Sequence, residues 1–300
     1  VAYDVGRATL FGDVQVRRAQ WRYTPDVHAD VAPASISWTF VNPRGGLTYR
    51  LAPSLSLYAS YGTMSREPAR NDMLAGFDNL DTSNVAFVGP LSRVKPETVH
   101  DIESGVNVRT GALRFEGNIF SMDFRNEIEP IGALSYLGLP LRKNVRASYR
   151  RGVELDAGYM LPAGFSASAN ATIMNAKIAD YTDDSSGETF HDVEPLLTPK
   201  VTTAQRLTWQ GTRRFTISLG GRYTGRSQLD NTGNPNMVLP SSYVMDGLFE
   251  WHFAHGRHAL ALRGENLTNS KRYGSGYSGD RPYYYVLQPR SLFATLELGF

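Results

Sequence analysis

Apolar and polar side chains alternate along most of this chain. In "RRFTISLGGRYTG", Phe215, Ile217, Leu219, Gly221 and Tyr223 stand against Arg214, Thr216, Ser218, Gly220 and Arg222. "SLSLYASYG" (54–62), "YVMDGLFEWHF" (243–253) and "RGVELDAGY" (151–159) repeat the pattern, and their polar positions often carry full charges. Period two sends successive side chains to opposite faces of a strand. Helical periodicity is nearly absent, so the pattern predicts an all-β chain. Twelve strands are expected, starting near residues 8, 35, 54, 97, 112, 145, 165, 198, 213, 240, 257 and 289.

The connections alternate between tight and long. Tight turns are expected at 51–54, 110–112, 161–164, 210–212 and 254–257, and long segments at 23–34, 66–96, 129–144, 180–197, 229–239 and 269–288. Strict alternation makes antiparallel hairpins whose long loops all lie at one end, the asymmetry of an outer-membrane barrel. A Greek-key sandwich has no reason to keep it over six hairpins. Strands of about 10–16 residues exceed the usual globular five or six and match the ~9–11 that cross a tilted bilayer.

Aromatic placement agrees with a barrel. Tyr49, Tyr159, Phe165, Trp209, Phe215, Trp251 and Phe253 fall near the tight turns, and Trp21, Tyr23 and Trp38 flank the first long loop. Two such belts would sit at the two membrane interfaces. No stretch approaches 18 apolar residues, which excludes a transmembrane helix but not a barrel. A net charge of +2 with no basic run gives no reason to expect nucleic acid as a partner, and zero cysteines excludes thiolate metal sites and cysteine nucleophiles.

Several stretches resemble the barrel of TonB-dependent outer-membrane receptors, in the order found in that family. They are "LTYRLAPSLSLYASYGTMSREPARNDML", "VKPETVHDIESGVNVRTGALRFEGNIFSMDFRNEI", "NVRASYRRGVELDAGY", and "ENLTNSKRYGSGY" followed by "QPRSLFATLELGF". The resemblance implies a transmembrane antiparallel barrel of about 22 strands, plugged by an N-terminal domain. It also implies uptake energised through a TonB complex, with a ferric siderophore as the most fitting cargo. Residues 1–300 hold about twelve of those strands and neither plug domain nor TonB box. They are expected to be the C-terminal part of the barrel, with Val1 entering midway round it. A passive pore or a structural or adhesive outer-membrane barrel is the alternative. Neither an enzymatic activity nor a cofactor is expected.

Candidate recognition residues lie in the long loops. "SREPARND" offers Arg66 and Arg70, and "SGDRPYYYV" offers Arg281, Tyr283 and Tyr285. Arginine forks carboxylates and tyrosine stacks on planar groups, a pairing suited to an anionic aromatic chelate. An equally available reading has Arg66 anchoring its loop and the tyrosines joining the outer girdle. His252, His255 and His258 have metal-like spacing but span a turn. The acidic segment 180–194 lacks calcium-loop spacing. Ser148 or Ser291 with His100 would be needed for a hydrolase, and no motif surrounds them. In the last segment, Leu292, Ala294, Leu296, Leu298 and Phe300 form one apolar face. That face should meet acyl chains, with Phe300 as a terminal signal for the barrel-assembly machinery.

Overall fold

The computed structural model describes residues 1–26, 29–135, 137–212, 214–254 and 256–299. Phe300 and His255 therefore lie outside the described residues. A short strand β1 (Ala2–Val5) pairs with β2 (Ala8–Tyr23), and strands then pair antiparallel in chain order. They run through β3 (Ala34–Ala52), β4 (Leu55–Arg66), β5 (Glu97–Arg109), β6 (Leu113–Leu134), β7 (Pro140–Met160) and β8 (Phe165–Thr182). The short β9 (Thr189–Val193) pairs only with the end of β8. The series resumes with β10 (Val201–Thr212) and β11 (Phe215–Thr224), followed by a small hairpin of β12 (Ser227–Gln228) and β13 (Val238–Leu239). After β14 (Ser242–Phe253) and β15 (His258–Glu265), a second separate hairpin joins β16 (Tyr273–Ser278) to β17 (Pro282–Val286). β18 (Ser291–Leu298) pairs with β15.

All twelve long strands expected from the alternation are present. Among the described residues no ladder joins β1 or β2 to β18, so the fourteen-stranded sheet has two open edges. Directly paired residues of an antiparallel ladder share a face, which fixes the two surfaces. One face, here called outward, carries Leu57, Tyr61, Ile102, Ile119, Val153, Ile173, Leu207, Leu219, Leu262, Leu292 and Leu296, all exposed. The inward face is polar and ion-paired: Arg44 with Asp13 at 3.0 Å, Arg114 with Asp156 at 2.6 Å and Arg222 with Asp246 at 3.0 Å. An apolar surface outside and charges inside reverse the aqueous rule and match a sheet bathed in lipid.

Close strand approach requires glycine at two inward positions. A Cβ on Gly105 would lie 2.5 Å from the Tyr58 ring and 2.6 Å from the Gly117 carbonyl oxygen. One on Gly152 would strike the Ile173 carbonyl and sit 2.8 Å from the Phe120 ring.

Three details depart from the sequence reading. The 129–144 loop is mostly strand, because β6 and β7 stay paired up to Leu134 and Pro140. The alternation is masked there because Asn126 takes a left-handed φ of 51° and Glu127, Ile128 and Glu129 are buried in succession. The turn expected at 210–212 falls later: Gly211 sits in a bulge, and the strand continues to Thr212. Trp21, Tyr23 and Trp38 face inward and pack on loop 67–96, so they do not form a lipid-facing belt.

Hydrophobic cores lie at the long-loop end. Tyr23, Leu74, Leu80 and Val88 form one cluster, Met73, Val94 and Ile128 a second, and Val145, Ile178, Tyr181 and Val193 a third.

Candidate functional site

Loop 67–96 contains two single-turn helices, α1 (Arg70–Met73) and α2 (Val85–Val88), and folds over the inner face. Arg66, the last residue of β4, donates from Nε to Glu97 Oε1 at 2.8 Å, and Glu97 Oε2 accepts from the Ile128 amide at 2.9 Å. Arg70 donates to the Asp78 carbonyl, with its Nη1 4.0 Å from the Asp78 carboxylate. Asp72 accepts from the Ala69 amide at 2.8 Å, and the Tyr23 hydroxyl accepts from the Leu80 amide at 2.7 Å. Both arginines of the first candidate group are thus tied to their own loop or its root.

The second group sits on the β16–β17 hairpin. Tyr283 stacks on Tyr277 with centroids 5.0 Å apart, and Arg281 lies 5.4 Å above the Tyr283 ring. The Tyr283 hydroxyl donates to Asp280 at 2.6 Å, which holds that carboxyl below its ordinary range. Tyr285 lies 5.9 Å from Tyr277 and is 55% exposed. Tyr284 faces the other way, stacking on Tyr273 at 4.2 Å and donating to the Val238 carbonyl at 3.0 Å. The fold therefore assembles Arg281, Tyr283 and Tyr285. No hydrogen bond, ion pair or ring contact among the described residues joins them to Arg66 or Arg70.

Between loop 67–96 and the extended tops of β6 and β7 lies a cleft of about 630 Å³ that the sequence reading missed. Its walls carry Arg93, Lys95, Arg142, Lys143 and Arg146 against Asp72 and Asp184, with Phe87 at the rim and 72% exposed. Lys143 is 2.9 Å from Asp184, and Arg146 is 3.4 Å from Asp180. The side chains of Arg93, Lys95 and Arg142 make no hydrogen bond or ion pair among the described residues. Two reciprocal bonds lock the walls together: the Lys95 amide to Asn144 Oδ1 at 2.8 Å, and Asn144 Nδ2 to the Lys95 carbonyl at 2.9 Å. "SRVK" and "LRKN" were the only sequence signals, and they are separated by some 49 positions. A second hollow of about 430 Å³ faces outward among Ala157, Ala169, Leu207 and Leu219, where acyl chains belong.

The remaining sequence candidates do not converge. His252 faces inward, 2.8 Å from Glu250, whereas His258 faces outward beside Phe253. In the acidic segment, Asp180 pairs with His191 at 2.7 Å and Glu194 with Lys200. No cluster of metal-ligating side chains occurs among the described residues. Ser148 donates to Glu127 on the inner side, while His100 meets Tyr61 on the outer face at 3.0 Å.

The chain resembles known receptors over nearly its full length. A search of curated protein sequences returns no match. Among solved structures, the ferric-catecholate import receptor Fiu from E. coli K12 aligns with TM-score 0.72 at 17% identity, over 99% of this chain and 43% of that one. The ferric yersiniabactin uptake receptor FyuA from Yersinia pestis gives 0.73 at 16%, over 99% and 44%. The copper transporter OprC gives 0.75 at 17%, over 100% and 46%. The chain thus spans less than half the length of these structures. The family described as TonB dependent receptor-like, beta-barrel, matches residues 4–269. With that match, the open lipid-facing sheet and its one-ended loops, the chain belongs to the TonB-dependent receptor β-barrel family, transporters rather than enzymes, of the bacterial outer membrane.

Proposed function

We propose that this chain forms part of a closed receptor barrel that imports an anionic chelate, with a ferric siderophore as the best fit, energised through TonB. The observation that carries the reading is the cleft in which the side chains of Arg93, Lys95 and Arg142 form no hydrogen bond or ion pair among the described residues, beside the exposed Phe87, although Arg142 feels the charge of nearby Glu129. Cations not engaged in ion pairs attract carboxylate or catecholate oxygens more strongly in a partly desolvated cleft than they would in water. The Arg281, Tyr283 and Tyr285 ladder supplies a second, stacking surface, and Arg66 and Arg70 keep loop 67–96 in place. Further strands complete the barrel, since open edges in lipid leave backbone groups unpaired.

Cargo choice is tested with the intact receptor. The triple variant Arg93→Gln, Lys95→Gln, Arg142→Gln should lower ferric-siderophore binding at least about tenfold, each charge-assisted bond being worth about 1.5–3 kcal/mol. Surface levels should be unchanged. Full binding and growth on ferric siderophores by this variant would refute the cleft. Ion conductance without any saturable uptake would favour a passive pore.

A further inference from the structure

The charges on the outward face are unevenly distributed. Following the ladder pairs from Tyr49, Leu57 and Val106 across β2 to β8, the outward positions carry Arg18, Arg22, Arg125, Arg151 and Lys177, and one acid, Asp123. Every one of them lies on the long-loop side of the apolar band. On β2, Val14 and Val16 are 61% and 68% exposed, and Arg18 and Arg22 follow on the same face. On β6 to β8, the Ile119–Val153–Ile173 rung comes first, then Arg151, then Asp123 and Lys177, and last Arg125. The opposite rim of this face ends instead in aromatics, Tyr49, Tyr159, Phe165 and Trp251.

Two of the cations have no partner to explain them. The side chains of Arg18 and Arg125 make no hydrogen bond or ion pair among the described residues, and Arg22 reaches only Gln20, at 3.4 Å. Arg151 lies 3.1 Å from Asp123 and 4.6 Å above the Tyr149 ring. Lys177 donates to the Asp192 carbonyl at 2.8 Å and lies 3.9 Å from the Glu194 carboxylate, so it too has an acidic neighbour. Cations directly beyond acyl-chain depth stand at headgroup level, where lipid phosphates are the available anions.

We propose that this belt, Arg18, Arg22, Arg125 and Arg151 with Lys177 at its side, binds the phosphate groups of anionic lipids in the extracellular leaflet. The proposal rests on long loops facing the medium and not on the identity of the cargo. Guanidinium forks grip phosphate bidentately, and the belt spans several strands, so a lipid with more than one phosphate bridges them.

The intact receptor, without chelate, is reconstituted in nanodiscs of mixed phosphatidylglycerol and phosphatidylcholine, and its retained lipids are counted by native mass spectrometry. Phosphatidylglycerol should be enriched, and Arg18→Gln, Arg22→Gln, Arg125→Gln, Arg151→Gln together should reduce that enrichment at least about fivefold, roughly the worth of one surface cation. Arg222→Gln, on the inner face, should leave it unchanged. Equal retention of the two lipids, undiminished enrichment in the quadruple variant, or an equal loss in Arg222→Gln would overturn the proposal. So would displacement of the lipid by excess inorganic phosphate, which would mark a general anion site. If the quadruple variant fails to assemble, Arg125→Gln alone, which removes no hydrogen bond or ion pair among the described residues, should still lower enrichment measurably; no change in it would equally refute the belt.

Discussion

At the turn end of the sheet, Phe165 lies 6.0 Å from Trp209, and the Trp251 ring lies 6.3 Å from Phe215 and 4.9 Å from Phe253, yet no buried hydrophobic cluster forms there among the described residues. At the long-loop end, Met73, Leu74, Ile178 and Leu229 are fully buried. The same ladder runs through both ends, so backbone pairing cannot account for the difference. What differs is the solvent. Lipid takes the place of a core around the turn end, where outward side chains need only be apolar and inward ones only be paired. Water surrounds the loops, which must bury their own apolar surface to stay ordered. The cation cleft lies at the end with a protein-like core, where it can keep its shape.

Three substitutions should separate the two ends, in decreasing size of effect. Gly152→Leu places a side chain against the Phe120 ring and the Ile173 carbonyl in the body of the sheet. It should largely abolish assembled receptor, read as loss of the heat-modifiable band and of surface labelling, because rigid backbone cannot yield. Assembly at wild-type levels would mean that strand spacing is looser than the structure indicates. Leu74→Ala should act only at the other end, costing about 2–5 kcal/mol of local stability and speeding amide exchange in loop 67–96 while β10 to β15 exchange as before. Leu296→Ala, lipid-facing and 59% exposed here, should leave that loop's exchange unaltered. Loop exchange responding equally to both would erase the distinction.

The smallest effect is one of pH. Asp280 has a depressed carboxyl because Tyr283 donates to it. A lowered folded-state pKa adds stability that is present above the unfolded value near ~3.9 and is lost as pH falls through the folded one. The tyrosine ladder of β16–β17 should therefore loosen only in strong acid, visible in tyrosine absorbance, with Tyr283→Phe showing no such transition. A transition retained in Tyr283→Phe would assign it to another group.

Alternation and turn spacing made the twelve long strands legible, since each depends on neighbours two residues apart. The extension of β6 was not legible: Glu127 and Glu129 look like loop residues until the fold places Arg150 2.6 Å and 3.6 Å from them. The small hairpins β12–β13 and β16–β17 are too short to show a period. For the site, sequence located the loops that hold Arg281, Tyr283 and Tyr285 but not the cation cleft. That cleft exists because Asn144 clasps Lys95, a contact no local pattern encodes. Trp21, Tyr23 and Trp38 show the converse failure, since rim position alone does not reveal which face a side chain takes.

The long-loop layer is also joined by a few very distant bonds. Asn231 Nδ2 donates to the Pro130 carbonyl at 2.7 Å across 101 residues, and Ser278 Oγ donates to the Gly132 carbonyl at 3.2 Å across 146. The tight-turn hairpins close over a handful of residues, whereas these bonds close loops of a hundred residues or more, at a larger entropic cost. The cross-links that tie the long-loop layer together thus depend on the strands beneath them being in place, and they weld separate hairpins into one layer.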